Sequence, residues 1–265
     1  MSRVPPVALA LAAVFLPLSD ALPQPAAPRS VFAHVYTAYS SQILRAMDGY
    51  LVDNVSSTFP GASVAETGDL GPTLLFGGEA GYMMSPLWSL GISVSTSGTD
   101  GSVLFGSFIA DAGSNDLDGS MIDLTATASI WTPGNSGFFA GVEAGAGFGK
   151  LTETFEYTSF SPSSLKYRGE WNGTCFVGGV FAGFHYDFSY GLMVLAKGGY
   201  KHRNPGTMGG ETTITESTYP SYPPGVAPGP ITDSAGRALE SDFSCSYLAV
   251  GLGWRFAAAA DRATR

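Results

Sequence analysis

Between residues 245 and 256 the chain alternates strictly between two kinds of side chain. One set is bulky and apolar: Leu248, Val250, Leu252, Trp254 and Phe256. The other is mostly small and carries one cation: Cys245, Tyr247, Ala249, Gly251, Gly253 and Arg255. Alternation with period two predicts a strand. A bulky apolar face opposite a small polar one is what a strand between lipid and a narrow lumen requires.

Comparable alternation along the chain predicts eight strands. We place them at residues 30–41, 72–84, 88–97, 121–131, 137–151, 171–188, 191–203 and 239–256. The connections at 85–87, 132–136 and 189–190 are short and rich in turn-forming residues. Those at 42–71, 98–120, 152–170 and 204–238 are long. Short periplasmic turns opposite long extracellular loops are typical of outer-membrane barrels. The fold class predicted is therefore an all-β, eight-stranded antiparallel transmembrane barrel with four long extracellular loops.

Three smaller features refine this prediction. Aromatic residues beside the short turns and the chain's periplasmic end are predicted to form a membrane-boundary girdle: Tyr82, Trp88, Trp131, Phe138, Tyr186, Phe188, Tyr190, Trp254 and Phe256. The apolar segment 103–109 either caps the barrel mouth or extends a hairpin above the membrane. The proline-rich segment 219–230 is expected to be exposed and mobile, without ladder hydrogen bonds.

Composition agrees with a membrane barrel. Only 13% of residues are charged, against roughly 25% in soluble domains. After the first residues, no stretch has the ~18 consecutive apolar residues of a membrane helix. The net charge of −9 argues against a nucleic-acid partner. Arg3 precedes an apolar run and then a small-residue site, which predicts a signal peptide at 1–21, with cleavage as late as residue 29 as an alternative. The barrel then occupies 30–256, and 257–265 form a short periplasmic tail.

The predicted lumen contains charged residues that should pair, because an unpaired charge in a narrow interior is costly. Glu79, Glu143 and Lys197 are expected at similar depth, with Lys197 bridging the two carboxylates. The remaining predicted members lie lower or higher in the lumen: Arg255, Asp187 and His185 below, and Asp123 above. Two roles remain open for this network, a polar plug that fixes the inward register and a gate for ions.

The two cysteines, Cys175 and Cys245, are predicted to face inward in an oxidising compartment. One strand lies between theirs, which separates the backbones by about 9–10 Å, whereas a disulfide requires Cα atoms within ~7 Å. A bridge would need strands that splay above the membrane, so both states remain open. No motif predicts a metal site or a cofactor.

Near the outer rim, Lys166, Arg168, Lys201 and Arg203 form a predicted basic cluster that could contact lipopolysaccharide phosphates. Solvated loop charges are the alternative reading. A lipid-modifying hydrolase requires a Ser/His/acid constellation. The sequence has three histidines, His34, His185 and His202, and none can be placed in such a constellation from sequence.

The final strand, which ends in an outward Phe256 with Trp254 and Leu252 at alternate positions before it, resembles the C-terminal signature strand of bacterial outer-membrane barrels. In pattern the chain resembles the small OmpA, OmpX and OmpW type over residues 30–256. The resemblance implies that this strand is read by the barrel-assembly machinery. The chain departs from the family pattern because nine residues follow Phe256.

These observations predict an integral outer-membrane barrel in contact with membrane lipid. A structural or surface-interaction role, in adhesion or envelope integrity through the extracellular loops, is favoured because an eight-stranded interior is filled by side chains. A narrow pore for small solutes is the first alternative, and a lipid-modifying enzyme the second. The sequence does not identify the extracellular partner.

Overall fold

The structure is a computed structural model. It describes residues 30–41, 47–58, 63–68, 73–107, 111–159, 163–188, 190–232 and 236–257. The predicted signal peptide and residues 258–265 of the predicted tail lie outside these ranges and remain predictions.

Eight long strands form a closed antiparallel ring. In chain order they are β1 (Ser30–Ser40), β3 (Thr73–Met83), β4 (Trp88–Ser107), β5 (Asp111–Trp131), β6 (Ser136–Thr158), β7 (Ser164–Asp187), β8 (Leu192–Arg203) and β13 (Cys245–Ala257). Each pairs with the next, and β1 pairs with β13 along its whole length, from Ser30 opposite Ala257 to Ser40 opposite Tyr247. The eight-stranded antiparallel barrel predicted from sequence is therefore confirmed.

The remaining elements lie at the end of the barrel with the long connections. They are α1 (Asp48–Thr58), β2 (Ser63–Gly68), β9 (Gly206–Thr207), β10 (Gly209–Ser217), β11 (Gly225–Pro228) and β12 (Glu240–Ser241). No helix in the described ranges has the length and hydropathy of a membrane span.

Two of the predicted long loops are strands instead. Residues 98–107 continue β4 and 111–120 continue β5, while 152–158 and 164–170 prolong β6 and β7 in the same way. Of the two alternatives for the apolar segment 103–109, a cap on the mouth or an extended hairpin, the structure shows the hairpin as far as residue 107. These extensions persist because inward positions stay apolar at period two, with Val103, Phe105, Leu117, Leu151 and Phe155 all buried.

The proline-rich segment was expected to make no ladder bonds, and this was wrong. Residues 225–228 form β11, which pairs with β10 from Gly225 opposite Ile214 to Pro228 opposite Glu211. Proline is tolerated here because β11 is an edge strand, where one side of the backbone has no partner. The exposure predicted for this segment holds for β11, all four residues of which are exposed.

The outer wall carries a belt of exposed apolar residues where a soluble protein would carry charge. It includes Leu74, Phe76, Leu90, Ile92, Val94, Ile122, Leu124, Val142, Phe148, Phe176, Val180, Leu248 and Val250. The predicted girdle aromatics Tyr82, Trp88, Phe138, Tyr186, Tyr190, Trp254 and Phe256 are also exposed. Two predicted girdle residues differ: Phe188 is half-buried, and Trp131 is only 6% exposed. Its position in the alternation directs it inward, where Nε1 donates to Ser89 Oγ at 2.8 Å.

Glycine on the inner face makes room for large lumen side chains. A Cβ at Gly77 would collide with the ring of Tyr36, and one at Gly81 with the ring of Phe32. Both rings belong to a cluster that fills the lumen towards the short-turn end, the lower cluster: Phe32, Tyr36, Ala38, Leu75, Met83, Trp131, Phe139, Phe181, Met193, Leu195, Tyr247 and Ala249. The narrow interior of an eight-stranded barrel is thus packed rather than empty.

Candidate functional site

A buried ionic layer crosses the middle of the lumen. Three carboxylates and three cations converge there, each at most 6% exposed: Glu79, Asp123, Glu143, Lys197, Lys201 and Arg203. Lys201 Nζ lies 3.0 Å from Glu143 Oε2 and 3.4 Å from Asp123 Oδ2, and Arg203 Nη1 lies 3.3 Å from the same Asp123 oxygen. Three formal charges of each sign balance within this layer.

Lys197 makes one of its two predicted contacts. Its Nζ lies 3.6 Å from Glu79 Oε2 and 3.9 Å from the centre of the Tyr36 ring. Glu143 is paired with Lys201 instead. Lys201 lies four residues after Lys197 on β8, on the same inward face and further from the short turns. His34 adds a further contact to the layer, with Nε2 at 3.4 Å from Glu79 Oε2.

Hydroxyl groups on β4 and β5 add hydrogen bonds to the layer. Ser95 donates to Asp123 at 2.9 Å, Thr125 to Glu143 at 3.1 Å and Thr127 to Glu79 at 2.8 Å. These residues are short, so they leave space for the long cations that reach across from β8. A buried charge that is both paired and hydrogen-bonded is tolerated far better than an isolated one.

Lys201 and Arg203 were placed at the outer rim from sequence, and this was wrong. They are 1% and 0% exposed and belong to the ionic layer. The alternation of β8 could have shown this, because Lys201 and Arg203 occupy the same alternate positions as Lys197 and therefore face inward. Depth was misjudged because β8 is short and staggered: Arg203, its last residue, pairs with Val177 in the middle of β7.

At the short-turn end, Arg255, Asp187 and His185 lie together as expected. Arg255 Nη1 donates to Asp187 Oδ2 at 2.5 Å, and His185 Nδ1 lies 3.7 Å from the same oxygen. The guanidinium also lies 5.3 Å from the Trp131 ring centre. This group closes the lumen below the ionic layer together with the lower cluster.

At the long-loop end, α1 packs into the mouth formed by the extended strands. Its buried residues Leu51 and Val55, with the preceding Met47, join an apolar group that we call the cap: Met47, Leu51, Val55, Val103, Phe105, Leu117, Met121, Leu151, Phe155, Tyr157, Leu165, Trp171, Val177, Met208, Ile231, Phe243 and Cys245. Nothing in the spacing of 48–58 predicted this helix as a plug, because its apolar face is short.

A single carboxyl group ties α1 to the barrel wall. Glu153 on β6 accepts hydrogen bonds from Tyr50 Oη at 2.9 Å and Asn54 Nδ2 at 2.9 Å, both on α1. Tyr167 Oη on β7 donates to it at 3.1 Å. Burial raises the pKa of the Glu153 carboxyl, and these hydrogen bonds oppose part of that rise. Glu153 was not predicted as a site residue. It falls in the segment 152–170, which was predicted to be a loop, so no inward face was assigned to it.

Both cysteines are free thiols in the structure. Cys245 is buried in the cap, and Arg203 Nη2 donates to its Sγ at 2.7 Å. Cys175 packs against the cap from β7 and is half-buried. In the described residues, no group of His, Cys, Asp and Glu is arranged to hold a metal ion.

On the outer face, one histidine meets a serine. His202 Nδ1 lies 3.2 Å from Ser244 Oγ, and that hydroxyl also accepts the backbone N–H of Arg203 at 2.9 Å. Sequence reasoning did not bring these two residues together. Within the described part of the chain, no carboxylate lies within ion-pair distance of His202, so the pair lacks the third member of a catalytic triad.

The other residues that were predicted to lie on the surface are on the outer side of β7 and β13. Lys166 and Arg168 lie on the outer side of extended β7, and Arg168 Nη2 contacts Glu170 at 2.8 Å. Lys150 Nζ contacts the same carboxylate at 3.2 Å, and these bonds lower the pKa of Glu170. On β13, Leu252, Trp254 and Phe256 share the lipid-facing side.

No protein-family model matches the chain, and no curated protein matches it. Among solved structures, Ail, the attachment invasion locus protein of Yersinia pestis, is 14% identical, with 87% of this chain and 100% of that chain covered and a TM-score of 0.39. Ail in complex with the heparin analogue sucrose octasulfate gives 13% identity and a TM-score of 0.38, with 87% of this chain and 100% of that chain covered. OprG, an outer-membrane protein of Pseudomonas aeruginosa, is 14% identical, with 88% of this chain and 98% of that chain covered and a TM-score of 0.41.

These identities and TM-scores are too low to transfer the role of any residue. The closed ring of antiparallel strands, the exposed apolar belt and the short turns at one end define the fold independently. The chain has the architecture of a small eight-stranded outer-membrane β-barrel.

Proposed function

We propose that the protein resides in the bacterial outer membrane as a closed barrel and acts through its extracellular surface, in adhesion or in envelope integrity. The observation that carries this proposal is the filling of the lumen at three levels: the lower cluster, the ionic layer and the cap. Solutes would have to displace all three, so an interaction role is favoured over transport.

The interaction surface is the sheet that rises above the membrane. The extended parts of β4 to β7 are continued sideways by β2 at one edge and by β10 and β11 at the other. This sheet packs against the cap, and its outer face is mostly polar, with Leu104 and Val226 as exposed apolar residues. Rigid scaffolds that present exposed strands and loops are common positions for binding.

The experiment compares cell adhesion for three forms of the protein. In one variant a short turn replaces residues 211–228, which removes β11 and most of β10. In the matched control, the periplasmic turn 132–135 is replaced by a turn of equal length. We expect the first variant to lose binding to host or neighbouring cells and the control to retain it. Equal adhesion by all three forms would remove the support for this surface.

Two partners follow from position. The outward cations Lys150, Lys166 and Arg168 are proposed to approach lipopolysaccharide phosphates, a contact weakened by the shared Glu170. Leu252, Trp254 and Phe256 are proposed as the signal that the barrel-assembly machinery reads after export through the signal peptide.

The alternatives make different predictions. A narrow pore requires the ionic layer to rearrange, and it predicts steady currents in planar bilayers. A lipid-modifying enzyme would rely on Ser244 and His202, and it predicts fatty-acid release that is abolished by Ser244→Ala. The absence of an acid beside His202 among the described residues disfavours the enzyme.

A further inference from the structure

A groove crosses the lipid-facing wall of the barrel. It has a volume of about 800 Å³, within the ~300–1,000 Å³ typical of small-molecule sites. Its floor is a single cross-strand row in which Ala140 lies opposite Ala182, and Ala182 opposite Gly198. The row continues to Ile130 and Trp88 on one side and to Leu248 on the other.

The rows on either side are bulkier and form the ridges. Below the floor, Phe138 lies opposite Phe184 with their ring centres 5.6 Å apart. Above it, Val142 lies opposite Val180, and Val180 opposite Tyr200. Small side chains between aromatic and branched ones give a trench, because side chains stand roughly perpendicular to a sheet.

The direction of the trench fits a lipid chain. From Trp88 to Leu248 the row makes five inter-strand steps of ~4.8 Å. Strands in such barrels tilt by ~35–45°, so the row climbs roughly 15 Å across the membrane, about half of a ~30 Å hydrocarbon core. Trp88 begins β4 directly after a short turn, so the lower end of the trench opens at the periplasmic boundary.

We propose that this trench, the acyl groove, binds one fatty-acyl chain of a phospholipid in the periplasmic leaflet. The groove is continuous with the lipid-exposed belt, and its lining residues are apolar or glycine except for Thr132 and Lys197, whose side chain is buried in the lumen. The described residues of the three short turns, 84–87, 132–135, 188 and 190–191, contain no Lys or Arg. The headgroup is therefore not selected by a cation, and a zwitterionic phospholipid satisfies the site.

The test uses native mass spectrometry of the full barrel in mild detergent with added phosphatidylethanolamine. Ala182→Leu fills the floor, and Ala80→Leu is the matched control, a lipid-facing alanine on β3 that is also exposed and lies outside the groove. We expect one retained phospholipid per barrel for the wild type and Ala80→Leu, and at least about tenfold weaker retention for Ala182→Leu. Equal retention by all three proteins would overturn the proposal.

A second variant separates occlusion from misfolding. A Cβ at Gly198 meets only ordinary contacts, at 3.5 Å from Tyr247 O and 3.7 Å from Leu248, so Gly198→Leu is the second variant that fills the groove. Heat-modifiable gel migration verifies that each barrel is folded. If the wild type appears instead as a lipid-free dimer that Ala182→Leu dissociates, a second copy occupies the groove and the proposal is wrong.

Discussion

The ammonium nitrogen of Lys201 lies 3.0 Å from a carboxylate oxygen of Glu143, and both side chains are almost completely buried. This pair lies in a layer with apolar clusters above and below it, so neither partner can turn to water if the other is lost. We therefore expect the layer to fix which face of β3, β5, β6 and β8 points inward, since a one-residue slip of any of these strands would place a charge in lipid.

Replacing Lys201 by Met should destabilise the folded barrel strongly. The substitution leaves Glu143 without its cation, and breaking a buried pair in this way typically costs about 3–5 kcal/mol. The measurement is the urea midpoint of unfolding in lipid vesicles, followed by gel migration. Lys150→Met is the control, because its pair with Glu170 is roughly half-exposed and solvent screens such pairs, so the loss of this pair should leave the midpoint almost unchanged. Equal midpoints for the two variants would contradict a structural role for the layer.

The attachment of α1 should weaken as pH rises. Burial raises the pKa of Glu153 in the folded protein, so its neutral form is favoured there relative to the unfolded chain. The stability that this group contributes is fully present below its unfolded pKa and is lost as pH rises through the folded pKa. Hydrogen exchange of residues 48–58, corrected for intrinsic rates, should accelerate with pH in the wild type.

Glu153→Gln provides the control for this prediction. The amide keeps an acceptor for Tyr50 and Tyr167 but cannot ionise, so exchange in α1 should no longer depend on pH. A wild type with the same pH profile as Glu153→Gln would show that the carboxyl does not control the cap.

Brominated phospholipids should distinguish the tryptophans. Trp254 is 50% exposed on the lipid-facing wall, whereas Trp131 is buried in the lumen. Replacing Trp254 by Phe should therefore remove a large share of the bromine-dependent quenching. Trp131→Phe should leave the quenched fluorescence almost unchanged. Strong quenching of Trp131 and weak quenching of Trp254 would contradict the structure and would support the girdle position that was predicted for Trp131 from sequence.

The unfolded, unreduced protein should titrate two thiols per chain. Cys175 and Cys245 are free in the structure, and Cys245 contacts Arg203 instead of a second sulfur. A titration that finds no free thiol would show that the strands bring the two residues close enough to bridge.

The strands could be read from sequence because lipid imposes a strict alternation that no loop residue needs. Strand ends above the membrane were less readable, since Leu117 and Phe155 lie among polar outward residues that resemble a loop. Pairing within the lumen was partly readable: the inward parity of Lys197, Lys201 and Arg203 was in the sequence, but their depth depends on stagger between strands. The role of α1 was not readable, because it depends on Glu153, about 100 residues away.

Single-channel recording in planar bilayers tests the central claim most directly. The wild-type barrel, with its lower cluster, ionic layer and cap in place, should give no resolved conductance steps over hours at physiological salt. A variant that lacks residues 47–58 should also remain silent, because the ionic layer and the lower cluster still close the lumen. Steady, reproducible open-channel currents from the folded wild type would contradict the account and favour a pore.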